Sequence, residues 1–304
     1  MLHSVQYNDI TWIDIQDPKP KDLKYLRENF HFHELVLGEL IPPGHRPKVE
    51  QHDDYLFMIL YYPLLDKKKH ETYSRELDIL VTKSHIITSH YETIVPLKGL
   101  FDQINTYKKA KEEYMSESTG HLLFYIIRSV LESALTKLEH IKTEVDNIED
   151  EIFSGREREM VFEISKAKRD VIDFRRIFAP QKSVIESLAS EGTNFFDKEL
   201  QPHFEDLQGT FGIIWNEIHD HMETINALAE TNESLLSAKI NEIIRVLTIF
   251  SAIFLPLTLI ASIWGMNTEG LPFTEGKGSF WIVSALMFVS FSVMIVYFKK
   301  KRWL

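Results

Sequence analysis

The sequence predicts an α+β cytoplasmic domain followed by long helices and two C-terminal transmembrane helices, and three patterns carry that prediction. Two uncharged apolar runs, Val246 to Met266 and Phe280 to Phe298, lie close to the C-terminus. Each approaches the roughly 20 residues an α-helix needs to cross about 30 Å of hydrocarbon. From Gly120 onward, apolar residues recur at alternating steps of three and four, the spacing of a helix that packs along a partner. Ahead of Gly120, short runs rich in β-branched and aromatic residues alternate with segments of helical spacing, as in a sheet covered by helices.

Residues 1–110 form the mixed unit. Tyr55 to Tyr62, Glu76 to Thr82 and His85 to His90 read as strands, while Lys19 to Phe30 and His33 to Ile41 read as helices. Pro18, Pro20, Pro42, Pro43 and Pro47 punctuate them, and the strand order is left open.

Residues 118–192 form a helical hairpin. Ile127, Leu131, Ala134, Leu138, Ile141, Val145, Ile148 and Ile152 keep one apolar seam; Ser154 and Gly155 interrupt it; Met160, Ile164, Ala167, Val171, Phe174 and Phe178 resume it. Pro180 is expected to kink the return helix or to end its first part.

Residues 203–266 form one helix that continues into the first span, at about 246–266. Its seam is Phe204, Leu207, Phe211, Ile214, Ile218, Ile225, Leu228 and Leu235. Such a helix would be roughly 95 Å long at 1.5 Å per residue. Alone it cannot bury that seam, and self-association around a central axis is expected to cover it.

A loop over 267–279, a second span over 280–298 and a basic tail over 299–304 complete the chain. Lys299, Lys300, Lys301 and Arg302 follow the second span directly, and positive charge beside a span stays cytoplasmic. Both termini are therefore expected in the cytoplasm of a two-span protein of the cell (inner) membrane. The opening residues Met1 to Tyr7 lack the apolar core of a cleavable signal.

Composition narrows the chemistry. The net charge is −11, and removing the four basic tail residues leaves −15 on residues 1–298, which suits cations and makes nucleic acid a poor partner. Zero cysteines remove thiolate metal sites, disulfides and cysteine nucleophiles. His31 with His33, and His219 with Glu223, offer too few ligands for a zinc site. An acidic group near the hairpin turn, Glu144, Asp146, Glu149, Asp150 and Glu151, either concentrates cations or forms a solvated face. No nucleophile elbow or phosphate-binding glycine loop is present, so an enzyme is not expected.

Gly265-Met266-Asn267 closes the first span, follows Leu255-Pro256-Leu257-Thr258, and precedes a chain end of Tyr297-Phe298-Lys299-Lys300-Lys301-Arg302-Trp303-Leu304. With Arg46-Pro47-Lys48-Val49-Glu50 near the N-terminus, this constellation resembles the CorA family of divalent-cation channels over nearly the whole chain. The resemblance implies a funnel-shaped homopentamer embedded in the bilayer, with five first spans lining a pore. It implies Mg2+ as substrate, with Co2+ or Ni2+ as surrogates, selected in hydrated form at a ring of Gly265, Met266 and Asn267. Magnesium sheds water reluctantly, and neutral oxygens can hold its waters without the deep well that five carboxylates would make.

The resemblance also implies that Thr258, Leu255, Ser251, Leu247, Ile244 and Asn241 line the pore, with Leu255, Leu247 and Ile244 as an apolar constriction. Without it, the same face serves equally to pack on a neighbouring helix. Asp66, after Tyr61-Tyr62-Pro63-Leu64-Leu65, and Asp206, within Phe204-Glu205-Asp206, align with the family's regulatory magnesium site between subunits, although an exposed Asp taken alone is more often solvated surface. Trp264 and Thr268 depart from the family pattern, and the outer loop Thr268-Glu269-Gly270-Leu271-Pro272-Phe273 looks more like the zinc-transporting branch. Proton-coupled Zn2+ transport is therefore an alternative, and a membrane-anchored sensor without ion flux is an alternative of another class.

Overall fold

The computed structural model describes residues 2–44, 46–66, 71–266, 272 and 278–303, with backbone alone at 65, 66, 71 and 191–194. The chain divides into two compact units, Met1–Ala229 and Glu230–Leu304.

The first unit is built on a six-stranded sheet in the order β1-β2-β6-β5-β4-β3. The strands are β1 (Leu2–Tyr7), β2 (Ile10–Gln16), β3 (Lys48–Gln51), β4 (Leu56–Asp66), β5 (Glu71–Val81) and β6 (His85–His90). Strands β2 and β6 are parallel, and the other pairs are antiparallel. Three strands extend the sheet beyond the sequence expectation, for recognisable reasons. β1 is an edge strand with Val5 as its one buried residue, β2 carries the polar Asp14 among apolar neighbours, and β3 is four mostly polar residues.

One face of the sheet presents Ile13, Ile15, Phe57, Ile59, Leu80 and Ile87 to helices α1 (Pro20–Asn29) and α2 (Glu34–Glu39), which supply Leu26, Val36 and Leu37. Helix α2 starts at His33, whose Nδ1 accepts from the Leu35 amide at 3.2 Å, so this histidine is a cap. On the opposite face Trp12 is fully buried, edge-on to Phe101 of α3 (Val95–Thr106) at 5.0 Å. Its Nε1 donates to Thr88 Oγ1 at 3.0 Å, and that hydroxyl donates to Asp14 at 2.6 Å, so the buried polar atoms are satisfied.

After α4 (Lys108–Met115), helix α5 (Thr119–Phe153) turns through Ser154–Arg156 into α6 (Glu157–Phe178). Gly155 has φ +91°, a conformation that glycine adopts without a Cβ penalty. Every seam residue expected on these two helices is buried, and Lys166 reaches back to Glu144 at 3.5 Å. At Pro180 the α-helix gives way to a 3₁₀ turn, Ala179–Gln181, before α7 (Lys182–Phe195).

That interruption is used. Gln181 is buried, its Oε1 accepts from the Tyr61 amide at 2.8 Å, and its Nε2 donates to the Tyr61 carbonyl at 3.0 Å. The pairing of β3 with β4 stops at Lys48↔Ile59, so the Gln181 amide continues the pairing along the free edge of β4.

Helix α8 runs from Gln201 to Trp264 without a break, and α9 from Ser279 to Lys300. In the first unit its seam is covered by the chain itself. Phe204, Leu207, Phe211, Ile214, Ile218, Ile225 and Leu228 are buried, with Phe211 against Phe178 at 5.7 Å and Phe204 against Phe196 at 5.5 Å. The expectation that self-association covers this part of the seam is thereby corrected. The second unit is the opposite case: among its described residues only Asn232, Ile249 and Phe298 are buried. Among the described residues, two helices, α8 and α9, are long and apolar enough to cross a membrane.

Asp170 of α6 is buried beside the hairpin seam with Oδ1 unpartnered. Loss of water, then the nearby Glu144, push its carboxyl up to about 6. A carboxyl raised on folding contributes stability at low pH that is lost as the pH rises through the folded value. At neutral pH Asp170 therefore costs stability, and Asp170→Asn should raise the unfolding midpoint at pH 7 by about 2–4 °C. Thermal scans at pH 7 and below pH 3.8 test this: the gain should vanish at the lower pH, where Asp170 is already neutral in both states.

Candidate functional site

Asn241, Ile244, Leu247, Ser251, Leu255 and Thr258 all lie on α8 at steps of three and four, which places them along one face. Thr258 Oγ1 donates to the Phe254 carbonyl at 2.8 Å, so its hydrogen is spent inside the helix and its lone pairs remain to accept from water. Leu255, Leu247 and Ile244 are 69%, 64% and 54% exposed. Phe250 and Phe254, outside that face, are each 58% exposed, so the exposed apolar surface extends beyond it.

Helix α8 closes at Gly265 and Met266. The Gly265 amide donates to Ala261 O at 2.9 Å, and the Met266 amide donates to Ile263 O at 3.3 Å, the tightening common in a last turn. The helix's negative dipole end falls here, together with carbonyls that have no helical successor, and both favour a cation. A Cβ at position 265 would stand 2.9 Å from the Ala261 carbonyl oxygen, so any larger residue must shift this turn. Trp264 Nε1 donates to Pro272 O at 3.0 Å and ties that loop residue to the helix end. Asn267 lies outside the described residues.

In the first unit, Asp66 ends β4 opposite Glu71; its side chain lies outside the described residues. The strand ahead of it is anchored by α5. Lys137 Nζ donates to the Pro63 carbonyl and stands 4.0 Å above the Tyr62 ring, whose hydroxyl is 2.7 Å from Ser133 Oγ one helical turn earlier. Burial lowers the Lys137 ammonium to about 8. Asp206 is exposed on α8, near Arg128 of α5. That guanidinium is held protonated chiefly by Glu132, at 2.7 Å, with Asp206 adding to the effect.

Lys137, Gln181 and Arg128 were not legible as partners of these positions, since nothing in their local spacing marks them. In the acidic group at the hairpin turn, Glu151 is paired with Arg156 at 3.2 Å and Glu144 with Lys166, so two of its five charges are compensated. Among the described residues no three His, Asp or Glu side chains stand where they could share a metal ion.

An α/β unit, a helical hairpin, and a long helix whose exposed apolar end closes at Gly265-Met266 together define a two-span membrane protein. The family model for the CorA-like Mg2+ transporter protein matches residues 7–300. The chain belongs to the CorA family, whose members are ion transporters and channels rather than enzymes. It is 31% identical over 296 residues to the cobalt/magnesium transport protein CorA of Thermotoga maritima, covering 97% of this chain and 83% of that protein. The fold is that of the CorA magnesium transporter of Methanocaldococcus jannaschii, with a TM-score of 0.84 at 24% identity over 99% of this chain and 94% of that one. The cytoplasmic domain of ZntB from Vibrio parahaemolyticus shares the fold with a TM-score of 0.63 at 15% identity, over 77% of this chain and 90% of that one.

Proposed function

We propose that the chain is a homopentameric transporter of divalent cations with Mg2+ as its principal substrate, Co2+ and Ni2+ as surrogates, and cytoplasmic Mg2+ as regulator. The observation that carries the reading is the end of α8, a largely exposed apolar stretch terminating in Gly265-Met266 ahead of Asn267. Five such ends around an axis would bring together five negative dipole termini and a ring of neutral oxygens. That ring attracts a hydrated divalent ion by accepting hydrogens from its waters. Release stays possible because no carboxylate closes on the ion. In the same arrangement Thr258 and Asn241 offer polar rings, and Leu255, Leu247 and Ile244 a constriction that gates by dewetting. The family membership and the likeness to magnesium-transporting relatives support Mg2+ over Zn2+, while the outer-loop sequence keeps Zn2+ as the ion to compare.

Flux into proteoliposomes tests the assignment. Wild type should move Mg2+, and Asn267→Ala or Gly265→Ala should reduce that flux at least about tenfold while leaving assembly intact, equivalent to a loss of about 1.4 kcal/mol at the ring. Undiminished flux in well-folded Asn267→Ala would place selectivity elsewhere, and Zn2+ flux without Mg2+ flux would reassign the substrate.

For regulation, Asp66 of one subunit and Asp206 of its neighbour would share a hydrated ion that neutralises like charges and holds the closed state. Arg128 competes for Asp206, which makes the site dependent on the neighbour's carboxylate. Asp66→Asn combined with Asp206→Asn should weaken Mg2+-dependent protection against proteolysis and make flux less sensitive to internal Mg2+. A Mg2+ titration of cleavage identical to wild type would contradict the site.

A further inference from the structure

The first turns of α5 and α8 meet at a joint made of two histidines. His121, near the start of α5, has Nε2 2.6 Å from Glu117 Oε2 and Nδ1 3.1 Å from Ser118 Oγ. Its ring stands edge-on to that of His203, the third residue of α8, with centroids 4.9 Å apart and planes at 77°. His203 in turn stands edge-on to Phe124 of α5 at 4.9 Å, and its Nδ1 is buried without a hydrogen-bond partner.

The two segments are pressed together beside this pair. A Cβ on Gly120 would lie 2.3 Å from Leu200 Cδ1 and 3.0 Å from Phe196 Cδ1, so the contact exists only because position 120 has no side chain. The charged and titratable groups facing His121 are Glu117 from the segment before α5, Glu199 from the turn before α8, and His203 itself. Burial lowers the His121 imidazole from 6.5; Glu117 and Glu199 act in the opposite direction, and His203 reinforces the lowering.

We propose that the His121–His203 pair is a proton-operated latch between α5 and the root of α8. With both rings neutral the edge-on stack closes the joint. A proton on His121 is opposed by burial and only partly offset by the Glu117 carboxylate. A second at His203 sets two like charges 4.9 Å apart, on a ring whose buried nitrogen has no acceptor to receive the new N–H. The sign follows from the lowered imidazole: the latch holds fully above the ordinary histidine value of 6.5 and loses stability as the pH falls below it. Because α8 continues without a break to Trp264, the latch anchors the first turn of the helix that carries residues 241–264. Acidification on the side the first unit faces would release that anchor, independently of whether Asp66 and Asp206 bind an ion.

Amide hydrogen exchange of the full chain in mild detergent, at pH 7.5 and 5.5 and corrected for intrinsic exchange rates, reads the latch directly. In wild type, amides of residues 122–127 and 204–210 should be less protected at pH 5.5 than at pH 7.5. Residues 145–160 at the hairpin turn should not change. His203→Phe keeps an aromatic ring against Phe124 without a titrating nitrogen and should abolish the loss. His203→Gln, a smaller neutral residue, should do the same, which separates the loss of the titrating ring from any repacking by Phe. The same loss in wild type and both variants, or no loss in wild type, overturns the proposal.

Discussion

One helix has to satisfy two different environments, and the architecture follows from that constraint. Up to Leu228, α8 buries a single stripe against helices of its own chain, as an amphipathic helix in a water-soluble domain does. From Val246 onward it is uncharged and mostly apolar, with Ile249 its one buried side chain there. Water cannot cover such a surface, and a backbone crossing hydrocarbon must satisfy its hydrogen bonds internally, which an unbroken α-helix does. The sheet, the hairpin and the Gln181 and Lys137 anchors of β4 serve the first half. The membrane is left to serve the second.

The chemistry at the far end of that helix is one of neutral oxygens and dipoles rather than formal charge. A helix C-terminus offers unpartnered carbonyls and a negative dipole end, and Gly265 keeps the last turn free of a side chain that would strike the Ala261 carbonyl. In the proposed pentamer such groups would hold an ion through its waters, since magnesium's hydration shell is costly to strip. In the first unit Asp206 is exposed on α8, near Arg128 of α5.

Much of this was legible in the sequence, because long periodic patterns are strong signals. The hairpin seam from Ile127 to Phe178, the stop at Pro180 and the continuous helix through Phe204 to Trp264 follow from spacing alone. β1, β2 and β3 escaped because edge position, a buried polar network around Asp14 and a length of four residues each erase alternation. The limit of the self-association argument also escaped, since a seam does not announce whether its partner is the same chain or another. At the candidate site, motif and step could place Gly265 at the end of α8 and residues 241–258 along one of its faces, while their role rests on the family resemblance. The Lys137 and Gln181 anchors depend on residues more than seventy positions apart and leave no local trace.

The account stands on the exposed stretch of α8 being covered by equivalent helices around a shared axis. The mass of the protein in mild detergent, measured by native mass spectrometry after detergent removal, addresses that directly. Five chains of 35.6 kDa in one particle is the predicted result, and a stable particle of one chain would contradict the shared pore.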